Sequence, residues 1–155
     1  THETTILCIR MLERYVDASS EVLDIGCGTG ILSIVSVLLG AKGATAVDID
    51  EDAIHIAKVN SMINNTGNRI KVVHGDLLDK VQGTFDIVIA NIVSDAIIEL
   101  SNNVNSYIKQ NGLFIASGII LERLDEIERV LSNNGFHKVE TMTLGEWAVV
   151  VSRCA

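Results

Sequence analysis

Three glycines follow directly on a short apolar run, and this feature constrains the fold more than any other part of the sequence. The run is Val22-Leu-Asp-Ile-Gly-Cys-Gly-Thr-Gly30, and a helix is predicted to begin near Ile31. Glycine lets a backbone turn sharply and lets a ligand pack directly on the main chain. A strand, a glycine turn and a helix in this order therefore predict a ligand site at the carboxyl end of the first strand.

Short apolar runs alternate with segments of helical period along the rest of the chain. This alternation predicts an α/β domain with a Rossmann-like, seven-stranded, mostly parallel sheet and helices on both faces. The predicted strands are Val22–Ile25, Thr45–Ile49, Ile70–His74, Phe85–Asn91, Leu113–Ser117, Phe136–Met142 and Trp147–Val151. Only Thr143–Gly145 separates the last two, which is too short for a parallel crossover, so the terminal strand should be reversed.

Four apolar stripes at helical spacing are predicted to face this sheet. They are Ile6, Ile9, Leu12 and Val16; Ala53, Ile56, Val59 and Met62; Ile97, Leu100, Val104 and Ile108; and Leu121, Leu124, Ile127 and Leu131. Thr4 or Thr5 would cap the first of these helices. Turns are predicted at Asn65–Asn68, Gln110–Gly112 and Asn133–Gly135, which are rich in residues that tolerate positive φ.

The composition favours a soluble, cytoplasmic domain. Apolar residues make up 48 % of the chain and charged residues 21 %, which argues against disorder. No apolar run approaches the roughly 18 to 20 residues of a membrane span. Cys8, Cys27 and Cys154 lack paired spacing, which predicts reduced, structural thiols and no metal site. The net charge of -8 argues against direct binding of nucleic acid and suits a cationic partner, or it serves solubility alone.

The glycine spacing and one carboxylate separate two candidate cofactors. Nicotinamide dinucleotides use GxGxxG, whereas the spacing here is GxGxG, and Asp24 precedes the first glycine by two residues. A carboxylate facing the pocket disfavours a pyrophosphate and favours an ammonium or a sulfonium. The predicted cofactor is therefore S-adenosylmethionine, packed on Gly26 and Gly28. The alternative role for Asp24 is that of a strand-end residue accepting hydrogen bonds from local amides.

Further carboxylates end the second and third strands at the same predicted edge of the sheet. Asp48 lies 22 residues after Gly26, where it can accept both hydroxyls of an adenosine ribose. Asp50 is predicted to cap the helix that opens at Glu51 instead of binding ligand. Asp76 should lie near the adenine, with a plain loop turn as the alternative.

Asn91 ends the central fourth strand and is predicted to face the methyl group. Its amide oxygen would accept a hydrogen bond from an amine and orient the lone pair of that amine, while a turn-forming asparagine is the alternative. His2 and His74 are candidate proton acceptors, but each is more readily a loop or strand-end residue, and proton release to water is the preferred hypothesis. Trp147 would line the substrate entrance or pack in the core.

Several of these segments resemble a known family. The loop Asp24–Gly30, the strand end Val47–Asp50 and the turn Gly75–Asp76 resemble class I S-adenosylmethionine-dependent methyltransferases. Four more motifs make nearly the whole chain similar to the methyltransferases of ribosomal protein L11. They are Thr1-His-Glu-Thr-Thr5, Ala90-Asn-Ile92, Ala116-Ser-Gly-Ile119 and Gly145-Glu-Trp147. Ile92 and Val93 follow Asn91 where methylases of base amines have two prolines, which argues against base methylation.

The resemblance implies methylation of lysine side chains and of the amino terminus of a protein of the large ribosomal subunit. It also implies that Thr5, Gly26, Asp48 and Asn91 contact the cofactor, with Asn91 at the reaction centre. The family carries a substrate-recognition domain before the catalytic one, so residues 1–155 are expected to be the catalytic domain alone. The alternatives are methylation of another amine, a cofactor-binding fragment that is inactive without its recognition domain, and an NAD-dependent oxidoreductase.

Overall fold

A seven-stranded sheet forms the centre of the computed structural model, which describes residues 2–154. The strands are β1 (Glu21–Ile25), β2 (Gly43–Asp48), β3 (Ile70–His74), β4 (Phe85–Asn91), β5 (Ile108–Ile120), β6 (Phe136–Leu144) and β7 (Trp147–Cys154). Their order is β3-β2-β1-β4-β5-β7-β6, and β7 is antiparallel to both of its neighbours. The other pairings are parallel. The predicted Rossmann-like fold with a reversed last strand is confirmed, and that strand inserts between β5 and β6.

Helices cover both faces of this sheet. They are α1 (His2–Tyr15), α2 (Ile31–Leu38), α3 (Glu51–Ile63), α4 (Ser94–Ser101) and α5 (Leu124–Asn133). One core cluster joins α1 and α2 to the sheet, and a second joins α4 and α5 to the opposite face around Phe114. Within residues 2–154, no helix combines the length and the apolar character that crossing a membrane requires.

The predicted buried face of α1 is correct only in part: Leu12 is buried, and Ile9 and Val16 pack partly buried against the core, but Ile6 does not belong to the buried face. The helix buries Thr4, Leu7, Cys8, Met11 and Leu12, whereas Ile6 is 40 % exposed. Two small residues of the buried face, Thr4 and Cys8, contact Ser117 of β5. A prediction that counts only apolar residues misses them, so the predicted face is rotated about the helix axis relative to the observed one. The predicted cap at Thr4 or Thr5 is also wrong, since the helix already includes His2, and Thr1 lies outside the described residues.

The predicted buried face of α3 is wrong for a related reason. The helix buries Ile54, Ala57 and Ser61, while the predicted Ile56, Val59 and Met62 are exposed. A Cβ at Gly30 would lie only 3.1 Å from the Cβ of Ala57. This close approach leaves room for small side chains only, so the larger apolar residues turn outward.

β5 is longer than predicted at both ends. The predicted turn Gln110–Gly112 lies inside the strand, where Asn111 has a φ of 66° and the pairing with β4 shifts between Phe85 and Ile87. Such an irregularity is a β-bulge, which places turn-forming residues inside a strand. The stripe from Ile97 to Ile108 is buried as predicted, but only its first two residues, Ile97 and Leu100, belong to α4. In the last stripe Ile127 and Leu131 are buried, whereas Leu121 precedes α5 and is exposed.

Candidate functional site

The glycine loop lies between β1 and α2 and leaves its middle open. Gly26, Gly28 and Gly30 all have positive φ, of 71°, 53° and 83°. The amides of Gly26 and Cys27 donate to the carbonyl of Val47 at 2.8 and 2.9 Å, which ties the loop to β2. A Cβ at Gly28 would meet nothing within 4 Å. The loop therefore offers bare backbone to a ligand at Gly28.

Asp24 lies beneath this loop and is 1 % exposed. Its Oδ2 accepts hydrogen bonds from the amide of Ser33 at 3.2 Å and from the Ser33 hydroxyl at 2.8 Å. Burial raises the pKa of Asp24 to about 6, although the bonds from Ser33 lower it. Asp24 therefore accepts hydrogen bonds from the first turn of α2. This is the alternative role predicted for it, that of a strand-end residue bonded to local amides. Direct contact between Asp24 and a cofactor stays a prediction.

Asp48 ends β2 beside the open part of the loop. Its Oδ2 accepts from the amide of Gly28 at 2.8 Å, and its Oδ1 accepts from the amide of Asp50 at 2.9 Å. Each carboxylate oxygen has further acceptor capacity, so two hydroxyl donors can still bind. Asp50 caps α3 by accepting from the amide of Asp52 at 2.9 Å, which confirms its predicted structural role.

Asp76 follows β3 in a tight turn at the same edge. The amide of Gly75 donates to the carbonyl of Asp48 at 3.0 Å, and the amide of Asp76 donates to Oδ1 of Asp79 at 2.9 Å. Leu77 has a φ of 49°, which is unusual for a branched residue. The turn therefore exists, and it leaves the Asp76 side chain exposed close to Asp48 in the fold. Contact with an adenine stays a prediction.

Asn91 is half-buried at the end of β4 and pairs with Ser117 of β5. The next residue, Ile92, is enclosed between two glycines. A Cβ at Gly26 would lie 2.7 Å from Cγ2 of Ile92, and a Cβ at Gly118 would lie 2.4 Å from its carbonyl oxygen. Ile92 therefore joins the glycine loop to the strand end that carries Asn91.

Gly118 is a residue to which sequence reasoning assigned no role. It has a φ of 80° and lies where the pairing of β5 with β7 shifts, between Ala116 and Ile119. Bulges often lie beside functional sites, where they redirect a strand. The signal in the sequence was the Ser-Gly-Ile motif at the end of the fifth strand. Ser33, the partner of Asp24, was missed as well, and its position three residues after Gly30 was the available signal.

The first turn of α1 approaches the site from the other side. The hydroxyl of Ser117 donates to the carbonyl of Thr4 at 3.4 Å, and a Cβ at Gly145 would lie 3.9 Å from Cγ of Glu3. Thr5, half-buried on the same turn, is therefore brought towards the part of β5 that pairs with Asn91, and its contact with a cofactor stays a prediction. Trp147 packs against the core cluster that contains α1, in agreement with the core alternative.

The thiols near the site are buried. Burial raises the pKa of both Cys8 and Cys27 to about 12, so neither is a nucleophile near neutral pH. Among residues 2–154, no three His, Cys, Asp or Glu side chains are grouped so as to hold a metal ion. The arrangement offers backbone, carboxylates and one amide, which suits the binding and alignment of reactants.

Six curated relatives of this chain share one description. A protein from Alkaliphilus oremlandii described as a ribosomal protein L11 methyltransferase is 42 % identical over 153 residues. One from Acetivibrio thermocellus with the same description is 47 % identical over 154 residues. Both alignments cover 99 % of this chain and 49 % of the relative. The chain thus spans about half the length of the curated relatives it matches.

Solved structures extend the comparison. A ribosomal protein L11 methylase from Lactobacillus delbrueckii subsp. bulgaricus matches with a TM-score of 0.95 and 33 % identity, covering all of this chain and 81 % of that one. An RNA methyltransferase from Salinibacter ruber, solved with S-adenosyl-L-homocysteine, has a TM-score of 0.74 at 15 % identity and shows the shared fold alone, over 94 % of this chain and 88 % of that one. The family model for ribosomal protein L11 methyltransferase (PrmA) matches residues 1–154. The chain therefore belongs to the ribosomal protein L11 methyltransferase family.

Proposed function

We propose that residues 1–155 form the catalytic domain of an S-adenosylmethionine-dependent methyltransferase whose substrate is ribosomal protein L11. Membership of the family supports this activity, and the relatives carry the substrate in their names. Within that activity we propose lysine side chains and the amino-terminal amine as the groups that are methylated. The net charge of -8 suits a cationic substrate and disfavours direct contact with RNA.

One observation carries the choice of cofactor. In dinucleotide-binding folds, the pyrophosphate binds at the amino terminus of the helix that follows the glycine loop. Here the carboxylate of Asp24 already accepts the amide of Ser33 in that turn. A pyrophosphate bound there would be repelled by the Asp24 carboxylate and could not use the Ser33 amide as a donor. A sulfonium or an ammonium above the loop would instead be attracted to the carboxylate. The structure thus disfavours nicotinamide dinucleotides and fits S-adenosylmethionine.

The remaining residues fit the rest of this cofactor. Gly28 leaves room for a ligand on bare backbone, and Asp48 retains acceptor capacity for two ribose hydroxyls. Asp76 is exposed at the same edge of the sheet, where an adenine amine would need an acceptor. The Salinibacter ruber protein shows that this fold accommodates S-adenosyl-L-homocysteine, the demethylated product.

The proposed chemistry needs alignment more than activation. When bound, the cofactor supplies a methyl group on a cationic sulfur that is already a good leaving group. Asn91 would accept a hydrogen bond from the neutral amine and point its lone pair at the methyl carbon. Held by Gly28 and Asp48, the cofactor would supply its methyl group to that nitrogen, with the neutral thioether as the leaving group, and the extra proton on nitrogen would leave to water. Ile92, held between Gly26 and Gly118, keeps Asn91 in place relative to the glycine loop.

Calorimetry and a transfer assay test this proposal together. The protein should bind S-adenosylmethionine and not NAD, and mass spectrometry should show methylated amines on purified ribosomal protein L11. Asp48→Asn should weaken cofactor binding about tenfold or more, because the new amide faces the Gly28 donor. Asp50→Asn is the matched control, because asparagine also caps helices and Asp50 contributes nothing else to the proposed site. Binding of NAD in place of the sulfonium compound would overturn the proposal.

A second candidate function follows from the coverage of the relatives. Because the chain spans about half of their length, it is also a candidate for a cofactor-binding fragment that needs further residues for transfer. Cofactor binding without methylation of ribosomal protein L11 would favour this candidate. Restoration of transfer after fusion to the amino-terminal half of a relative would establish it.

A further inference from the structure

The segment Asp48–Asp50 after β2 is fixed by hydrogen bonds at both ends. The Asp48 carboxylate accepts the amides of Gly28 and Asp50, and its carbonyl accepts the amide of Gly75. The middle residue, Ile49, follows Asp48 directly in the chain, and its apolar side chain is 64 % exposed. An exposed apolar side chain at the carboxyl edge of the sheet, beside the glycine loop in the fold, suits the face of a flat, aromatic ligand.

One side chain outside this segment holds the peptide of Ile49. Nε2 of His74, the last residue of β3, lies 2.7 Å from the carbonyl oxygen of Ile49. A carbonyl oxygen carries no hydrogen, so Nε2 must be the donor, and it remains a donor whether the ring is neutral or charged. The other ring nitrogen, Nδ1, lies 4.0 Å from Oε1 of Glu51. The ring therefore bridges the end of β3 to the segment after β2.

This geometry also argues against His74 as a proton acceptor in the reaction. In the sheet order β3-β2-β1-β4, its strand lies three spacings from the strand that carries Asn91. Neighbouring strands are about 4.8 Å apart, which gives roughly 14 Å between the two strands. An amine aligned by Asn91 is too far from His74 to pass it a proton directly.

We propose that His74 is a positioning residue for the nucleoside end of the cofactor site, acting through Ile49. By holding the Ile49 peptide, His74 fixes the apolar surface that packs against the adenosine base, beside the carboxylate that binds the ribose. The proposal rests on the proposed function, because it assumes that an adenosine cofactor binds along β1 and β2. It predicts an effect on cofactor affinity and none on the rate of transfer at saturation.

A set of His74 variants tests the proposal. His74→Met removes the donor at similar volume and should weaken binding of S-adenosylmethionine about three- to tenfold, the range that one hydrogen bond supplies. His74→Gln should restore most of the affinity, because its amide nitrogen can donate to the same carbonyl. The kcat should stay unchanged in both. His137→Met is the matched control, because His137 is an exposed histidine on β6, at the opposite edge of the sheet.

A double-mutant cycle with Ile49 separates this role from simple stabilisation. Ile49→Ala should weaken cofactor binding by itself, and adding His74→Met should then have little further effect, since the residue it positions is gone. Full additivity of the two changes would overturn the proposal, as would a His74→Met protein that binds like His137→Met. A fall in kcat with unchanged affinity would overturn it too. Failure of the unsubstituted protein to bind S-adenosylmethionine would instead overturn the proposed function.

Discussion

The two sides of the carboxyl edge of the sheet are built in different ways. On the side of β1, β2 and β3, the contacts join residues close in the chain, such as Asp24 with Ser33 and Gly28 with Asp48, which are 9 and 20 positions apart. On the side of β4 and β5, the bond from Ser117 to Thr4 joins residues 113 positions apart. The first side is formed by local turns, whereas the second exists only after α1 has packed on the sheet.

This difference separates two tasks. The side of β1, β2 and β3 presents backbone and carboxylates, which suit a small cofactor of constant shape. The side of β4 and β5 presents Asn91, the first turn of α1 and the β6–β7 hairpin, which we propose as the entrance for a protein substrate. Ile92 is the point of contact between the two, because it touches Gly26 on one side and Gly118 on the other. Substitutions should therefore divide into those that affect cofactor binding, those that affect transfer and those that uncouple the two sides.

The largest expected effect is on transfer, at the end of β4. Asn91→Ala should lower kcat on the order of a hundredfold, because the amine loses the acceptor that aligns it, while cofactor affinity falls only modestly. Single-turnover methylation and calorimetry measure the two effects separately. Asn103→Ala, at an exposed asparagine after α4, is the control. Equal activity of the two variants would remove Asn91 from the mechanism.

The next effect is on the contact between the two sides. Gly118→Ala should destabilise the fold by about 2–3 kcal/mol, since its Cβ would lie 2.4 Å from a backbone oxygen at a φ of 80°. Gly83→Ala is a matched control, because Gly83 has a φ of 91° and a Cβ there would meet nothing within 4 Å. Urea unfolding should show a clearly larger loss for Gly118→Ala. Equal losses would mean that Ile92 moves aside easily, and the two sides would then be less tightly coupled than the geometry indicates.

The same contrast explains what the sequence could predict. The carboxyl ends of β1, β3 and β4, the cap at Asp50 and the position of the glycine loop follow from local patterns, and the structure has them where expected. The seven strands and the α/β fold class follow from the alternation of apolar runs with segments of helical period. The final hairpin follows from the short connection Thr143–Gly145. These features depend on neighbours in the chain, which a sequence displays directly.

The features that were predicted wrongly depend on distant partners. The buried faces of α1 and α3 are chosen by Thr4, Cys8 and Ala57, which are small enough for close packing, and hydrophobicity alone does not select them. The bulge at Asn111 is fixed by pairing with β4, so its residues looked like a free turn. The sequence predicts that Asp24 lies just before the glycine loop, but it does not predict that the Ser33 hydroxyl donates a hydrogen bond to its carboxylate.

A smaller effect should appear at the open part of the glycine loop. Gly28→Ala should lower affinity for S-adenosylmethionine about tenfold, because the added methyl group takes the space where a ligand packs on the backbone. Gly40→Ala is the control, because Gly40 also has positive φ and open surroundings but lies after α2. Both variants should lose similar thermal stability, and only Gly28→Ala should lose affinity. Unchanged affinity in Gly28→Ala would place the cofactor elsewhere.

The smallest effect should be electrostatic and depend on pH. Burial raises the pKa of Asp24 to about 6 from an ordinary value of 3.8. Between these values the folded protein holds a proton that the unfolded chain has released, so this group makes stability fall as pH rises through that window. Above about pH 6 the carboxylate is charged and should attract the sulfonium, so affinity should rise through the same range. Asp24→Asn should abolish this rise and leave binding about threefold weaker at pH 7.5, because asparagine still accepts from Ser33 without the charge. Calorimetry between pH 5 and pH 8 measures the affinity of the unsubstituted protein and of Asp24→Asn. If both affinities changed with pH in the same way, Asp24 would serve only to bond Ser33. The preference for a cationic cofactor would then need another source.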